Sequence, residues 1–178
     1  MRQYTKQLTK SAVAFRKHIA PILKKKCGVE KIVSCEGGQS PAQRDADYQQ
    51  CIDYQLFKGG RRIGLANRIL FRAEYKGKIT LRKSRSNGRP TEYQKLKSAV
   101  ENNGTYPEFF CISCVVDDEV KSCIIFRTSD LLKFIDETDP PVRTNYDSDK
   151  QQRQDFYCFS WAELLRQGYK VWILADCA

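Results

Sequence analysis

Two strand-like runs joined by a Gly-Gly turn constrain the fold of this chain more than any other feature. They form the stretch CIDYQLFKGGRRIGLANRILF, residues 51–71. Apolar and polar side chains alternate in both runs, which predicts a β-hairpin with strands at about 50–57 and 62–74. The turn YKGK and the run KITLRKS then predict a third strand. We therefore expect an antiparallel meander of three strands.

The alternation also predicts which side chains share a face of this meander. Asp53 and Arg68 fall on the face opposite the apolar side chains, together with Thr80 of the third strand. A lone carboxylate that is partly removed from water is costly, so Asp53 is expected to contact either Arg68 or a metal ion. Gly64 and Ala66 leave room on this face for a ligand to approach.

The rest of the chain alternates helical and strand-like patterns. Helices are predicted over 5–26, with a bend at Pro21, over TEYQKLKSAVENNG, over DLLKFIDET and after the capping box SWAE. Strands are predicted over KIVSCEG, EFFCISCVV, VKSCIIFRT, FYCFS and YKVWIL. The polar segments 37–47 and 139–155 are expected to be loops. This order predicts one domain over residues 1–178, an α/β or α+β fold in which helices flank a mixed central sheet.

The eight cysteines and the single histidine offer little for a metal or nucleophilic site. Most cysteines lie in apolar strand-like runs, so buried free thiols in a reducing cytoplasm are expected rather than disulfides. Cys111 and Cys114 have zinc-knuckle spacing, but residues three apart in a strand point to opposite faces. No apolar run approaches the roughly 20 residues of a membrane span, and the charged N-terminus does not resemble a secretory signal.

The charge of the chain is concentrated in one segment. The formal net charge is +10, and residues 58–97 hold 13 Lys and Arg against two acids, Glu74 and Glu92. The remainder of the chain is close to neutral, so this segment is expected to meet a polyanion. The residues expected to contact phosphates are Arg61, Arg62, Arg68, Arg72, Arg82, Lys83, Arg85, Arg89, Lys95 and Lys97.

The order of elements between about residues 30 and 130 resembles the core of the PD-(D/E)XK nuclease superfamily. That fold carries an Asp on one strand and an acid-x-Lys triplet on the next, where the two acids hold Mg²⁺. Asp53 matches the Asp, and Ala66-Asn67-Arg68 stands where the triplet belongs. The resemblance implies a restriction-endonuclease-like fold, Asp53 as metal ligand, and Asp53 and Arg68 as catalytic residues. The patterns IDY and GLANRI also look like those of phage and mobile-element proteins.

The triplet departs from the family pattern where chemistry needs it most. Ala66 replaces the second carboxylate, and Arg68 cannot act as a base because it keeps its proton. We therefore expect a nucleic-acid-binding protein, with DNA as the expected partner, that has lost cleavage and needs no cofactor. Two alternatives stay open. One is a Mg²⁺-dependent nuclease or resolvase that recruits Glu36, Asp45 or Asp47, and the other is an inhibitor or adaptor that binds an acidic protein surface.

Overall fold

The computed structural model of this chain describes residues 10–35, 40–48, 50–147 and 152–176. Its strands in chain order are β1 (Lys31–Ser34), β2 (Tyr54–Lys58), β3 (Arg61–Leu70), β4 (Lys78–Arg85), β5 (Phe109–Val116), β6 (Glu119–Arg127), β7 (Val142–Asp147), β8 (Gln152–Ser160) and β9 (Val171–Asp176). The helices are α1 (Ala20–Cys27), α2 (Pro41–Tyr48), α3 (Glu92–Glu101), α4 (Thr128–Thr138) and α5 (Trp161–Arg166). The predicted α/β class with a mixed sheet is confirmed.

The strands form two sheets. The large sheet has six strands in the order β1-β2-β3-β5-β6-β9, in which only the β3–β5 pair of the described strands is parallel. The small sheet has three antiparallel strands in the order β4-β8-β7. Strand β4 lies at an edge of the small sheet, so one side of its main chain is open to contacts from other elements.

The helix boundaries follow local signals. Residues 10–14 are helical, and a π-helical turn over Phe15–Ile19 leads into α1, while residues 5–9 of the predicted helix lie outside the described residues. Pro21 lies in the first turn of α1 and cannot donate a main-chain hydrogen bond, which gives a physical reason for the irregular turn before it. Thr91 and Ser160 are the N-cap residues of two capping boxes, which fix the starts of α3 and α5.

The meander exists, but one strand earlier than expected. Strands β1, β2 and β3 are consecutive and antiparallel, whereas the predicted third strand, β4, does not pair with β3. The second edge of β3 is taken by β5, where Leu65 stands opposite Phe109. Because β5 is buried over almost its whole length on both faces, it needs a central position. The burial of β4 alternates, so one covered face is enough for it.

Two apolar cores lie on the two faces of the large sheet. One core packs the N-terminal helical segment, with Phe15, Ile19 and Leu23, against Leu65 and neighbouring strands. The other fills the space between the large sheet, the small sheet, α3 and α4. Adjacent residues of β3 therefore face different cores, and Ala66 contributes to the second one with no exposed surface. The space expected beside Ala66 is filled by this core.

Two segments predicted as loops contain regular structure. Residues 41–48 form α2, and its start at Pro41 suits the first position of a helix. Residues 142–147 and 152–160 form the hairpin strands β7 and β8. The parts of this hairpin outside the predicted strand FYCFS are VRTNYD and QRQD; they are mostly polar, and residues 142–146 of β7 are exposed. VRTNYD and QRQD therefore show no apolar pattern from which strands could be predicted.

Candidate nucleic-acid interface

The structure distributes the basic residues over several surfaces, and acids neutralise part of their charge. Lys97 lies 2.8 Å from Asp136, and Lys83 lies 3.8 Å from Asp139. Further ion pairs join Arg61 to Glu108 at 3.8 Å, Arg72 to Glu74 at 3.6 Å, and Lys76 to Asp176 at 3.3 Å. The basic segment 58–97 therefore does not form one continuous basic face.

Lys97 joins α3 to α4 and lies at one corner of a small polar cluster. Its Nζ donates to Asp136 and, at 3.4 Å, to the Tyr93 hydroxyl, which itself donates to Asp136 at 2.9 Å. The Lys97 hydrogen bond holds the pKa of Asp136 below its usual range. Burial, together with the bond to Asp136, raises the pKa of Tyr93 to about 12. These contacts give Lys97 and Tyr93 a role in packing two helices together.

Asp53 is bound to the main chain of β3. Its own N–H donates to the carbonyl of Leu65 at 3.0 Å, and its Oδ2 accepts the N–H of Asn67 at 2.6 Å. Asp53 precedes the first residue of β2, so its carboxylate accepts a main-chain hydrogen bond from β3 just beyond the end of the β2–β3 pairing. Two residues earlier, Cys51 has a φ of 57°, so the chain turns sharply as it approaches Asp53.

Arg68 pairs with Glu92 of α3, and the expected ion pair between Arg68 and Asp53 is absent from the described contacts. The guanidinium also donates to the carbonyl oxygen of Thr80 at 2.8 Å and lies 3.3 Å from its hydroxyl. Both charged side chains are mostly buried, with 22% and 20% of their surfaces exposed. Arg68 therefore joins the large sheet, the small sheet and α3, and it satisfies a carbonyl on the open edge of β4.

Replacing Glu92 by glutamine should lower the free energy of unfolding by about 2 kcal/mol, because Arg68 would keep its charge in a poorly hydrated place without a counter-ion. Urea denaturation measures this change. The matched control is Glu101→Gln, whose pair with Lys97 spans 4.0 Å and is exposed. This control should cost about 0.5 kcal/mol or less. Equal effects of the two substitutions would contradict the role given to Arg68.

The residues around Asp53 do not fit the Mg²⁺ site that the nuclease resemblance implies. The position of the second acid, Ala66, is part of the core, and Glu92 is held by Arg68. Glu36 lies outside the described residues, and Asp45 is exposed and accepts a hydrogen bond from Gln50 at 2.8 Å. In the described parts of the chain, no three acidic, His or Cys side chains are arranged to hold a metal ion.

The charges of several acidic groups nevertheless act on the thiol of Cys51. Burial raises the pKa of this thiol to about 12, and the negative charges of Glu92, Asp53 and Asp47 act in the same direction, whereas Lys95 opposes them. Asp53 and Glu92 thus act on one thiol although they are far apart in sequence. Reading the sequence missed Glu92 because its place beside β3 depends on how α3 packs.

Strand pairing brings four basic residues onto one face of the small sheet. Paired residues of neighbouring strands share a face, and Arg82, Phe156 and Arg143 stand opposite one another across β4, β8 and β7. The next row on the same side contains Arg85, Gln154 and Asn145. We call this face of the small sheet the outer face; its residues are Lys78, Thr80, Arg82, Arg85, Gln152, Gln154, Phe156, Cys158, Ser160, Arg143, Asn145 and Asp147.

The outer face is basic, with an aromatic ring near its centre. The guanidinium of Arg82 lies over the Phe156 ring, 5.3 Å from its centroid, and Arg143 and Asn145 are exposed. The Nε–H of Arg85 is buried without an acceptor among the described residues. Asp147, at the far end, is the one acid that the described register places on this face.

The acid nearest to Phe156 in the sequence is Asp155, and its side chain belongs to the opposite face of the small sheet. It stands opposite Ser84 and Thr144 and accepts their hydroxyl hydrogen bonds at 2.7 and 2.8 Å. These bonds hold its pKa below the usual range. A β-bulge between Arg82 and Ser84 keeps Arg82 and Arg85 on the outer face although they are three residues apart.

Two of the ten predicted phosphate contacts, Arg82 and Arg85, therefore meet on the outer face, while the others lie elsewhere. Arg61 and Arg62 are exposed at the β2–β3 hairpin, and Arg89 is exposed in the turn after β4. Sequence reading missed Lys78, Arg143 and Phe156. Lys78 and Phe156 lie in the predicted strands KITLRKS and FYCFS, where nothing singled them out, and Arg143 lies in VRTNYD, which passes for surface loop.

No protein-family model, curated protein or solved structure matches this chain. None of the described helices is both long enough and apolar enough to cross a membrane.

Proposed function

We propose that this protein binds nucleic acid through the outer face of the small sheet. The observation that carries the proposal is the grouping of Lys78, Arg82, Arg85 and Arg143 on one face around Phe156. Adjacent strands are about 4.8 Å apart and alternate residues about 6.7 Å apart, so these cations form a grid that suits repeating phosphates.

The proposal is binding without cleavage. Its support is the position of Ala66 in the core, the main-chain role of the Asp53 carboxylate, and the engagement of Arg68 with Glu92. An arginine keeps its proton at all working pH values, so Arg68 cannot supply a general base. With this reading, added Mg²⁺ is not required for binding.

A reducing compartment such as the cytoplasm is part of the same proposal. The seven described cysteines are free thiols, and Cys111 and Cys123 remain unbridged although their sulfur atoms are 4.0 Å apart. In an oxidising compartment, two thiols this close could be oxidised to a disulfide.

The test replaces the two cations that flank Phe156. Arg82→Gln with Arg143→Gln should weaken binding to a fluorescent 20-nucleotide strand at least tenfold at about 50 mM salt. The slope of log affinity against log salt should become shallower by about 1.4, because two phosphate contacts are lost. Fluorescence anisotropy measures both quantities.

The matched control is Lys24→Gln with Lys25→Gln, which removes the same charge from exposed positions of α1. It should leave the salt slope nearly unchanged. Equal losses in the two double variants would mean that net charge alone drives binding. Absence of binding by the wild type at low salt, together with capture of an acidic protein, would favour the inhibitor or adaptor alternative.

A further inference from the structure

We infer that the outer face recognises single-stranded nucleic acid, with a base stacked on Phe156. This inference rests on the proposed function and adds the class of ligand. Its starting point is an apolar ring in an unusual place. Phe156 lies on the polar side of β8 and is part of none of the described apolar cores, and it is only half-buried.

The neighbours of Phe156 suit a base and its phosphates. Arg82 approaches the ring from β4 and covers one side of it, and Arg143 stands on the β7 side. The two arginines start about 10 Å apart, since two strand spacings separate them. A base can enter against the ring between them, and its flanking phosphates then lie within reach of long cationic side chains.

The pairing of β7 with β8 also places a hydrogen-bonding side chain near the Phe156 ring. Asn145 is exposed on β7, two residues from Arg143 and on the same face. Its amide can both donate to and accept from a base edge. Recognition through ring stacking with one or two amides is tolerant of sequence, since every base offers a π-face.

A duplex is a poorer match to this surface. Bases in a duplex are stacked on one another and offer only their edges in the grooves, so the Phe156 ring would gain no stacking partner. The cations of the outer face would still meet duplex phosphates. Single strands and duplexes should therefore differ in their dependence on Phe156 and agree in their dependence on charge.

The experiment compares three oligomers on the full-length wild-type protein at about 50 mM salt. They are a thymidine 20-mer, a 20-mer of abasic sugar phosphates with the same charge, and a 20-base-pair duplex. The wild type should bind the thymidine strand about tenfold more tightly than the abasic strand. Phe156→Leu should abolish this preference and leave binding to the abasic strand and the duplex within about twofold.

Two further variants keep the test independent of folding. Phe156→Trp retains an aromatic surface and should preserve the preference for bases. Tyr146→Leu removes a 66%-exposed aromatic side chain from the other side of β7 and should change nothing. Thermal melts of all variants check that each is folded, and leucine keeps most of the apolar volume of Phe156.

The outcomes separate this inference from the proposed function. Equal affinity of the wild type for thymidine and abasic strands overturns base stacking but leaves phosphate binding by the outer face intact. An unchanged preference in folded Phe156→Leu also overturns it. No binding of any oligomer at low salt overturns the proposed function, and the inference falls with it.

Discussion

Raising the salt concentration from about 50 to 200 mM should weaken binding to a single-stranded 20-mer by about fiftyfold to three-hundredfold. Each neutralised phosphate releases condensed counterions, and for single strands the logarithmic slope is about −0.7 per contact. The four cations of the outer face alone then predict a slope of about −2.8. Two further contacts, for which Arg89 and Lys95 are candidates beyond β4, make the slope about −4.2.

The slope therefore counts the contacts. It is measured by anisotropy titrations at four or five salt concentrations, with potassium glutamate as a second salt to check for anion effects. A slope near −3 would limit the interface to the outer face. Affinity that does not change with salt would contradict phosphate binding itself, whatever the affinity at the lowest concentration.

Replacing Ala66 by aspartate should leave the protein unfolded or with only a small fraction of its stability. Ala66 has no exposed surface and packs in the core that includes Phe110, Ile79 and Leu81. A carboxylate placed there loses its hydration without a partner, at a cost of several kcal/mol, and the added volume costs about 1–3 kcal/mol more. These costs approach the whole stability of a typical domain, about 5–15 kcal/mol.

This substitution installs the acid that the nuclease resemblance expects at the triplet. Circular dichroism and urea denaturation report the folded fraction, with and without Mg²⁺. The control is Arg62→Asp, an exposed position of the same strand, which should stay folded. If Ala66→Asp were folded and stabilised by Mg²⁺, position 66 would face a metal site, and our assignment of this face to the core would be wrong.

Much of the local structure could be predicted because its signals are local. The hairpin of β2 and β3 follows from its Gly-Gly turn and alternation, and the hairpin of β5 and β6 follows from two apolar runs around a short acidic turn. The capping box predicted at Ser160 is present. The prediction that Cys111 and Cys114 point to opposite faces also holds, since only Cys111 belongs to the core beside α1.

The positions of Arg68 and Asp53 show where local reasoning ends. Alternation predicted that Arg68 and Thr80 share a face of one sheet, and the two are in contact, but they belong to different sheets. It could not show that β4 belongs to a second sheet, or that α3 would bring Glu92 to the guanidinium. The partner of Asp53 was equally hidden, because a main-chain N–H leaves no mark in the sequence.

By itself, the sequence determined the class of fold, the main hairpins, which residues of the predicted strands share a face, and the concentration of positive charge. The tertiary structure decided which strand edges pair, and therefore which charges meet. Strand β5 takes the edge of β3 because both of its faces are apolar, and β4 then pairs with β8, the start of which lies in the segment predicted as a loop. The outer face joins β4 to the neighbouring strands β7 and β8, which lie far from it in the chain, and competition for burial between distant segments, which no local pattern encodes, brought them together.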